Sequence, residues 1–547
     1  MRREVKTGLI VGVCAALIGV AGCSSTDDQD SDVRTDNAPS KVKTGPLSAA
    51  EVRTTTRDFL TAWAAGDVKK AAALTDDPKA AAAALTGYRK DAHVTKVTLK
   101  GGKRAGVKVP FNATARISYK QQSTTLAYAS VLSTVRDKAA GHPLVAWQPS
   151  VLHPELKAGD KLLTGESGAP PIKAVDRDGA ELRKEDHPTL TGVLASLRDR
   201  YGKKAGGKAG VEVTIHRAKV KNAEVKDGKA AEQPDKTLKV LSQGTPGTLR
   251  TTLDGALQRA AEQSVNKRPR ASAVAVKPST GEILAIANSP ATGFNGALQG
   301  SMAPGSTMKV VTAATLLDRG LAGVNKPHPC PKYSTYGGWK FQNDKKFEIK
   351  GGTFAQSFMR SCNTAFITQA PKLPDDALTK EASEVFGLGL NWQTGVPTFD
   401  GAVPVQSDAQ KAASLIGQGG VRMNPLNMAS VAATASSGTF RQPVLVAPSL
   451  DNRTLAKASR SMKPTTVKQL RELMRLTATA GTGAEAMAGV SGNIGAKTGS
   501  AEVDGQKKPN GWFTAYRGDL AAAAVVPASG HGGENAGPVV RAMLTAG

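Results

Sequence analysis

The sequence predicts a multidomain α+β protein: a small α+β domain, a β-rich pedestal or linker, and a larger domain whose sheet is flanked by helices. Three observations carry this prediction. Residues 47–158 open with helix-like apolar spacing and then switch to strand-like alternation. In residues 249–547, strand-like segments stand at both ends with helical ones between. The 547 residues are too many for one domain of roughly 100–200 residues, while 40% hydrophobic and 22% charged residues exclude wholesale disorder.

The chain begins with Arg2, Arg3 and Lys6, then an apolar run from Thr7 to Ala21. Such a run is short for a spanning helix and right for a signal-peptide core. It is the one apolar stretch of its kind, which excludes a polytopic membrane protein. Residues 1–22 therefore read as a signal peptide ending at Val20-Ala21-Gly22-Cys23, which resembles a bacterial lipobox with Cys23 as the lipidated residue. Residues 23–46 read as a polar tether, which places the protein at the outer face of the cytoplasmic membrane, lipid-anchored and facing the wall. Arg2-Arg3 leaves the export route, general or twin-arginine, open. The formal charge is +26; removing the signal takes away three cations and Glu4, leaving +24. In that location the anionic partners are lipid headgroups and wall polymers. With aromatic content at 4%, base-stacking surfaces and nucleic acid are not expected.

Within residues 47–158, Ser48 followed by Glu51 is a capping-box pattern, and Phe59, Leu60 and Trp63 share one helix face. A second helix covers roughly 78–91 from Pro78. Strand alternation starts at Val94, and residues 147–156 read as a final strand and exit turn. In the pedestal, residues 159–248, Asp176 to Gly179 is a turn and Val211, Val213 and Ile215 mark a strand. Lysines and glycines at 202–209 and 226–236 suggest loops. In residues 249–547 a helix (Leu253 to Val265) precedes strands at 273–276 and 283–286. Helices follow, then strands near 494–503 and 512–526.

Three short elements in this last domain carry chemistry. They are Ser306-Thr307-Met308-Lys309, Ser361-Cys362-Asn363 and Lys497-Thr498-Gly499. A serine hydroxyl is a weak nucleophile until a base takes its proton, and a lysine three residues on shares its helix face. Desolvation and a second cation, Lys497, would lower the pKa of Lys309 towards that of a base. Each element alone is weak. SxxK recurs at Ser40–Lys43 and Ser264–Lys267, KTG at 6–8 and 43–45, and SxN at 491–493. Only 306, 361–363 and 497–499 form an ordered set with the spread of one domain. No histidine or cysteine spacing suits a metal, and no cofactor is expected. Cys330 and Cys362 either pair or stay as buried thiols.

The ordered set is that of penicillin-binding proteins and serine β-lactamases. Over residues 249–547 the chain resembles the transpeptidase domain of class B penicillin-binding proteins. Pro304-Gly305 before Ser306, TGEILA within 276–290, SCNTAF at 361–366, IGQGG…NPLNM at 416–428 and Trp512-Phe513 after the KTG carry the resemblance. Asn295 to Leu298 resembles the family's NxA element, although Asn295 could equally cap a turn. Residues 47–158 resemble the NTF2-like N-terminal domain of resistance-type members. Asp176 to Gly179 resembles the turn opening the family's pedestal, with Pro171-Ile172 where that family has RG. Ser500 replaces the usual threonine, and Gly296 a common arginine.

The resemblance implies an antiparallel sheet flanked by helices and a peptidoglycan D,D-transpeptidase. Ser306 would attack the stem-peptide D-alanine carbonyl with Lys309 as general base, and Ser361 and Asn363 would relay protons and hold the substrate amide. Lys497, Thr498, Gly499 and Ser500 would bind substrate, with backbone N–H groups of Ser306 and Ser500 as an oxyanion hole. Implied partners are stem peptides, β-lactams, the membrane through Cys23, and cell-wall synthesis proteins. A D,D-carboxypeptidase, a β-lactamase or a non-catalytic penicillin-binding lipoprotein are the alternatives. No glycan-polymerising domain is visible upstream.

Overall fold

The computed structural model describes residues 43–218 and 234–547. The expected signal peptide, Cys23, nearly all of the expected tether and residues 219–233, which include most of the loop expected at 226–236, lie outside the described residues. Among the described residues, no helix is long and apolar enough to cross a membrane.

Ser48 caps the first helix, Ala49–Ala65, and Glu51 closes the capping box. Asp77 caps Pro78–Lys90, and a short helix, Val68–Ala73, which the sequence pattern did not separate, lies between them. A four-stranded antiparallel sheet follows: β1 (Val94–Gly101), β2 (Lys108–Tyr119), β3 (Gln122–Arg136) and β4 (Pro143–Ala146), in that order. β2 alternates between exposed and buried residues, so Val109, Phe111, Ala113, Ala115 and Ile117 face the helices. The strand expected from Trp147 is absent. β4 stops at Ala146, and Pro149 starts a 3₁₀ turn, Pro149–Val151. Proline donates no ladder hydrogen bond, which ends the strand there.

The pedestal stretch has its apolar residues in two cores. β5 (Lys161–Glu166), β7 (Val211–His216) and β8 (Lys236–Ser242) form a three-stranded sheet in the order β5-β7-β8. Leu162, Val213 and Ile215 join the N-terminal core. β6 (Ile172–Val175) pairs in parallel with β9 (Gly247–Arg250), and Ala174 and Leu249 join the core of the last domain. A helix, Thr191–Tyr201, was not foreseen. Its stripe of Val193, Leu197 and Tyr201 repeats every four residues among charged ones, and all three are buried in that same core.

The last domain is organised by one antiparallel sheet. Its strands are β10 (Ala271–Val276), β11 (Ile283–Ser289), β14 (Ile494–Ala501), β15 (Asn510–Arg517) and β16 (Leu520–Val526), in the order β11-β10-β16-β15-β14. The segment expected as one strand at 512–526 is a hairpin turning at Arg517–Leu520. A separate hairpin, β12 (Tyr333–Tyr336) and β13 (Trp339–Gln342), lies in the helical region. Both faces of the main sheet are covered. Val274 and Val276 pack into one core, while Ala273 and Ala275 pack into the other beneath helices Gly255–Val265 and Gly537–Ala546. Burial on both sides explains why β16 reads as a continuous apolar run instead of an alternating one. β14 is left at the sheet edge, where it borders the candidate site.

Candidate active site

Ser306 sits on a 3₁₀ turn, Gly305–Met308, that runs into helix Lys309–Asp318. The turn brings the Lys309 side chain back onto Ser306: Lys309 Nζ donates to Ser306 Oγ at 2.9 Å. The same Nζ donates to Ser361 O and to Asn363 Oδ1, both at 2.7 Å. Lys497, on β14, donates to Ser361 Oγ at 2.8 Å and to Thr498 O at 2.8 Å. The three separated sequence elements thus meet in one hydrogen-bonded cluster, with Ser361 touching both lysines.

Lys309 and Lys497 are both fully buried. Burial, and then the neighbouring Lys497 charge, push Lys309 well below the ordinary lysine range. Burial brings Lys497 down from 10.5 to about 7. An amine made easy to deprotonate, 2.9 Å from a serine hydroxyl, is a nucleophile–base pair. Ser306 itself is only half-buried and open to a substrate.

The remaining expected residues line the edge of β14. Thr498 Oγ1 shares a 2.7 Å hydrogen bond with Thr482 Oγ1. Gly499 is where β14 meets the nucleophile's turn: a Cβ there would fall 2.9 Å from Pro304 O and 3.0 Å from Thr307 Cγ2. Ser500 follows, with its Oγ 3.4 Å from His531 Nδ1. Asn295 does cap a turn, accepting from Leu298 N at the start of helix Gly296–Gln299. The spare motifs Ser264–Lys267 and 491–493 are not part of this hydrogen-bonded cluster.

The cysteine alternatives resolve in favour of pairing: Cys330 and Cys362 form a disulfide across 32 residues. It holds the middle residue of the Ser361–Asn363 element, where Ser361 adopts a left-handed backbone with φ of 59°. Such a conformation in a non-glycine residue costs of order 1–3 kcal/mol and persists only where its surroundings hold it.

The sequence did not point to Asn343. Its side chain is buried; Oδ1 accepts from Asn363 N at 2.8 Å and Thr364 N at 3.0 Å, and Nδ2 donates to Pro331 O and Phe347 O. It caps the short helix Thr364–Ile367 from a distant segment. No local spacing marks a cap that comes from 20 residues away. Thr482 and His531 were missed for the same reason. Among the described residues no group of His, Cys, Asp and Glu could hold a metal ion.

Residues 271–545 match the penicillin-binding protein transpeptidase domain, and residues 51–160 match the NTF2-like N-terminal transpeptidase domain. The chain belongs to the penicillin-binding protein transpeptidase family. It is 27% identical over 368 residues to the peptidoglycan D,D-transpeptidase PbpA of Mycobacterium tuberculosis, covering 55% of this chain and 72% of that one. Penicillin-binding protein 3 of Mycobacterium tuberculosis, solved with ampicillin, is similar in fold with a TM-score of 0.54 at 18% identity, over 70% of this chain and 95% of that one. A chain from a peptidoglycan synthase complex that coordinates polymerisation and cross-linking superposes with a TM-score of 0.53 at 21% identity, over 73% and 93%. The penicillin-binding family and its NTF2-like N-terminal domain are thus as the sequence motifs implied.

Proposed function

We propose that this penicillin-binding protein is a serine D,D-transpeptidase that cross-links peptidoglycan stem peptides and is acylated by β-lactams. The observation that carries the reading is the 2.9 Å contact of Ser306 Oγ with the buried, pKa-depressed Lys309. In this reading neutral Lys309 takes the Ser306 proton as Oγ attacks the penultimate D-alanine carbonyl. Ser361, bonded to both lysines, relays a proton to the departing D-alanine amine, and Asn363 holds the substrate amide. Lys497, Thr498 and Ser500 hold the terminal carboxylate, Gly499 keeps the strand close, and the N–H groups of Ser306 and Ser500 stabilise the oxyanion. The amine of a second stem peptide then resolves the ester. The test is labelling with a fluorescent penicillin and mapping of the adduct. One stoichiometric adduct at Ser306, absent in Ser306→Ala, is expected; label elsewhere, or none, overturns the assignment.

The same proposal extends to the address. Cys23 becomes the lipid anchor after loss of residues 1–22, and residues 23–46 tether the protein at the outer face of the cytoplasmic membrane. Residues 47–158 form the NTF2-like domain, 159–248 the pedestal and 249–547 the transpeptidase domain. The pedestal's division between two cores supports a role in joining its neighbours rigidly. A polymerising wall-synthesis protein is the expected partner, supported by the fold likeness to the synthase-complex chain.

A further inference from the structure

Resolving the acyl-enzyme needs a second proton acceptor, because an amine in water is mostly the ammonium ion and cannot attack an ester until it loses a proton. Lys309 does not supply this function freely: it is fully buried, and its three hydrogen bonds go to Ser306, Ser361 and Asn363. A group for the incoming amine must be reachable from solvent and stand at the same end of the site. His531 meets both requirements.

Thr498 and Ser500 are two residues apart on β14, so their side chains share one face of the strand. Ser500 O also lies against the nucleophile's turn, where a Cβ on Gly305 would fall 2.4 Å away. His531 Nδ1 is 3.4 Å from Ser500 Oγ. The imidazole is held there by the backbone after it: a Cβ on Gly532 would sit 2.4 Å from Gly499 O and 1.9 Å from Trp512 O, so only glycine lets this segment lie on the β14–β15 edge. Asp344 Oδ2 lies 3.8 Å from His531 Nε2; the imidazole is about half exposed and the carboxylate about two-thirds exposed. A carboxylate beside Nε2 favours the tautomer with its proton there, leaving the Nδ1 lone pair towards Ser500. Asp344, from the turn after β13, is the charged group within ion-pair distance of the imidazole among the described residues; Ser500 faces it from β14.

We infer that His531, oriented by Asp344, is the general base for the acceptor amine in the second half-reaction. The inference rests on the transpeptidase reading. His531 Nδ1 takes one proton from the acceptor ammonium, and the free amine attacks the acyl carbon. The bond from that carbon to Ser306 Oγ breaks as the new amide C–N bond forms. The amine's second proton reaches Ser306 Oγ through Ser361 and Lys309, the reverse of the path that protonates the departing amine, and His531 returns its proton to water. By microscopic reversibility, the departing D-alanine amine and the entering acceptor amine pass through the same place, the end bordered by Thr498 and Ser500.

The test uses the lipid-free mature chain, a thioester analogue of the donor peptide and D-alanine as acceptor, with aminolysis and hydrolysis products measured together. A thioester's leaving thiolate needs no proton, so the ratio of the two products isolates the acceptor step. General-base catalysis typically contributes about 100- to 10,000-fold, and water inside the cleft takes over part of the role. His531→Gln and His531→Ala are therefore expected to lower the aminolysis-to-hydrolysis ratio by at least about tenfold, and added imidazole should restore the ratio in His531→Ala. A ratio within twofold of the parent in both variants, or a loss that imidazole does not restore, overturns the assignment. A penicillin adduct mapped to Ser306 in the parent protein separates the two failures: its absence defeats the transpeptidase reading and this inference with it, whereas an adduct at Ser306 with an unchanged product ratio defeats this inference alone.

Discussion

Around Arg460 the catalytic domain buries two carboxylates beside a guanidinium, whereas around Ser306 it buries two lysine amines with no carboxylate in ion-pair distance among the described residues. Arg460 reaches Asp318 at 2.9 Å and also pairs with Glu381 and Glu384. Asp318 and Glu381 are 6% and 4% exposed, so the guanidinium is what makes their burial tolerable. Burial still raises the Glu381 carboxyl above its ordinary value, but Arg460 opposes that shift. At the active site the shifts have no such opposition: burial and like charge both drive Lys309 down. Compensation builds stability, and its absence builds reactivity.

Breaking each cluster should therefore produce opposite results. Lys309→Met is expected to slow Ser306 acylation by at least about 100-fold, without lowering the denaturation midpoint, because a buried amine that is costly to desolvate is exchanged for an apolar chain of similar length. Arg460→Leu should instead destabilise by about 2–3 kcal/mol, below the full penalty for an orphaned buried partner since Arg460 is 37% exposed. Its folded fraction should acylate like the parent. Stopped-flow acylation and chemical denaturation on both variants give the two readouts; matching profiles would dissolve the contrast.

If charge does not hold the active site together, covalent and neutral polar bonds must. Replacing both Cys330 and Cys362 by serine should remove about 3–4 kcal/mol, the loop-entropy value for a separation of 32 residues. It should also slow acylation, because Cys362 lies between Ser361 and Asn363. A slightly smaller effect is expected of Asn343→Ala. Two backbone N–H groups of the Asn363 element lose their acceptor, at about 1–3 kcal/mol. Misplacing Asn363 Oδ1 relative to Lys309 should cost about 10- to 100-fold in acylation rate. Asn343→Asp, which keeps an oxygen for both N–H groups, should recover part of that rate. Equal rates in the alanine and aspartate variants would show that capping is not what positions Asn363.

These two hubs also mark how far the residues could be interpreted without the fold. Ser306, Lys309, Asn363 and Lys497 were legible because their chemistry survives only in short ordered motifs, and order separated them from the spare SxxK, KTG and SxN copies. The helices at Ser48 and Pro78 were legible from caps, and β2 from its alternation, since those signals are local. Asn343, Thr482 and His531 act through contacts made across 16 to 31 residues, and nothing beside them in the chain announces the partner. The helix Thr191–Tyr201 was hidden because its stripe faces a different domain's core, and the hairpin at 510–526 because doubly buried strands lose their alternation.

The finest test concerns the charge of Lys497 alone. Lys309 acts as a base only when neutral, so acylation should rise with pH as Lys309 loses its proton. Lys497 is the like charge that helps to lower Lys309, so Lys497→Gln should raise the Lys309 pKa and move the acid limb of the acylation profile to higher pH. The same substitution changes stability with a definite sign. Between about 7 and 10.5 the unfolded chain carries a proton on Lys497 that the folded chain does not, so folding stability rises with pH across that window. The slope is about 1.4 kcal/mol per pH unit for one such group, and Lys497→Gln should flatten it. An acid limb that moves to lower pH would mean that Lys497 favours the protonated form of Lys309, through Ser361 or a shared water, and that the two ammonium groups do not oppose each other as their burial implies.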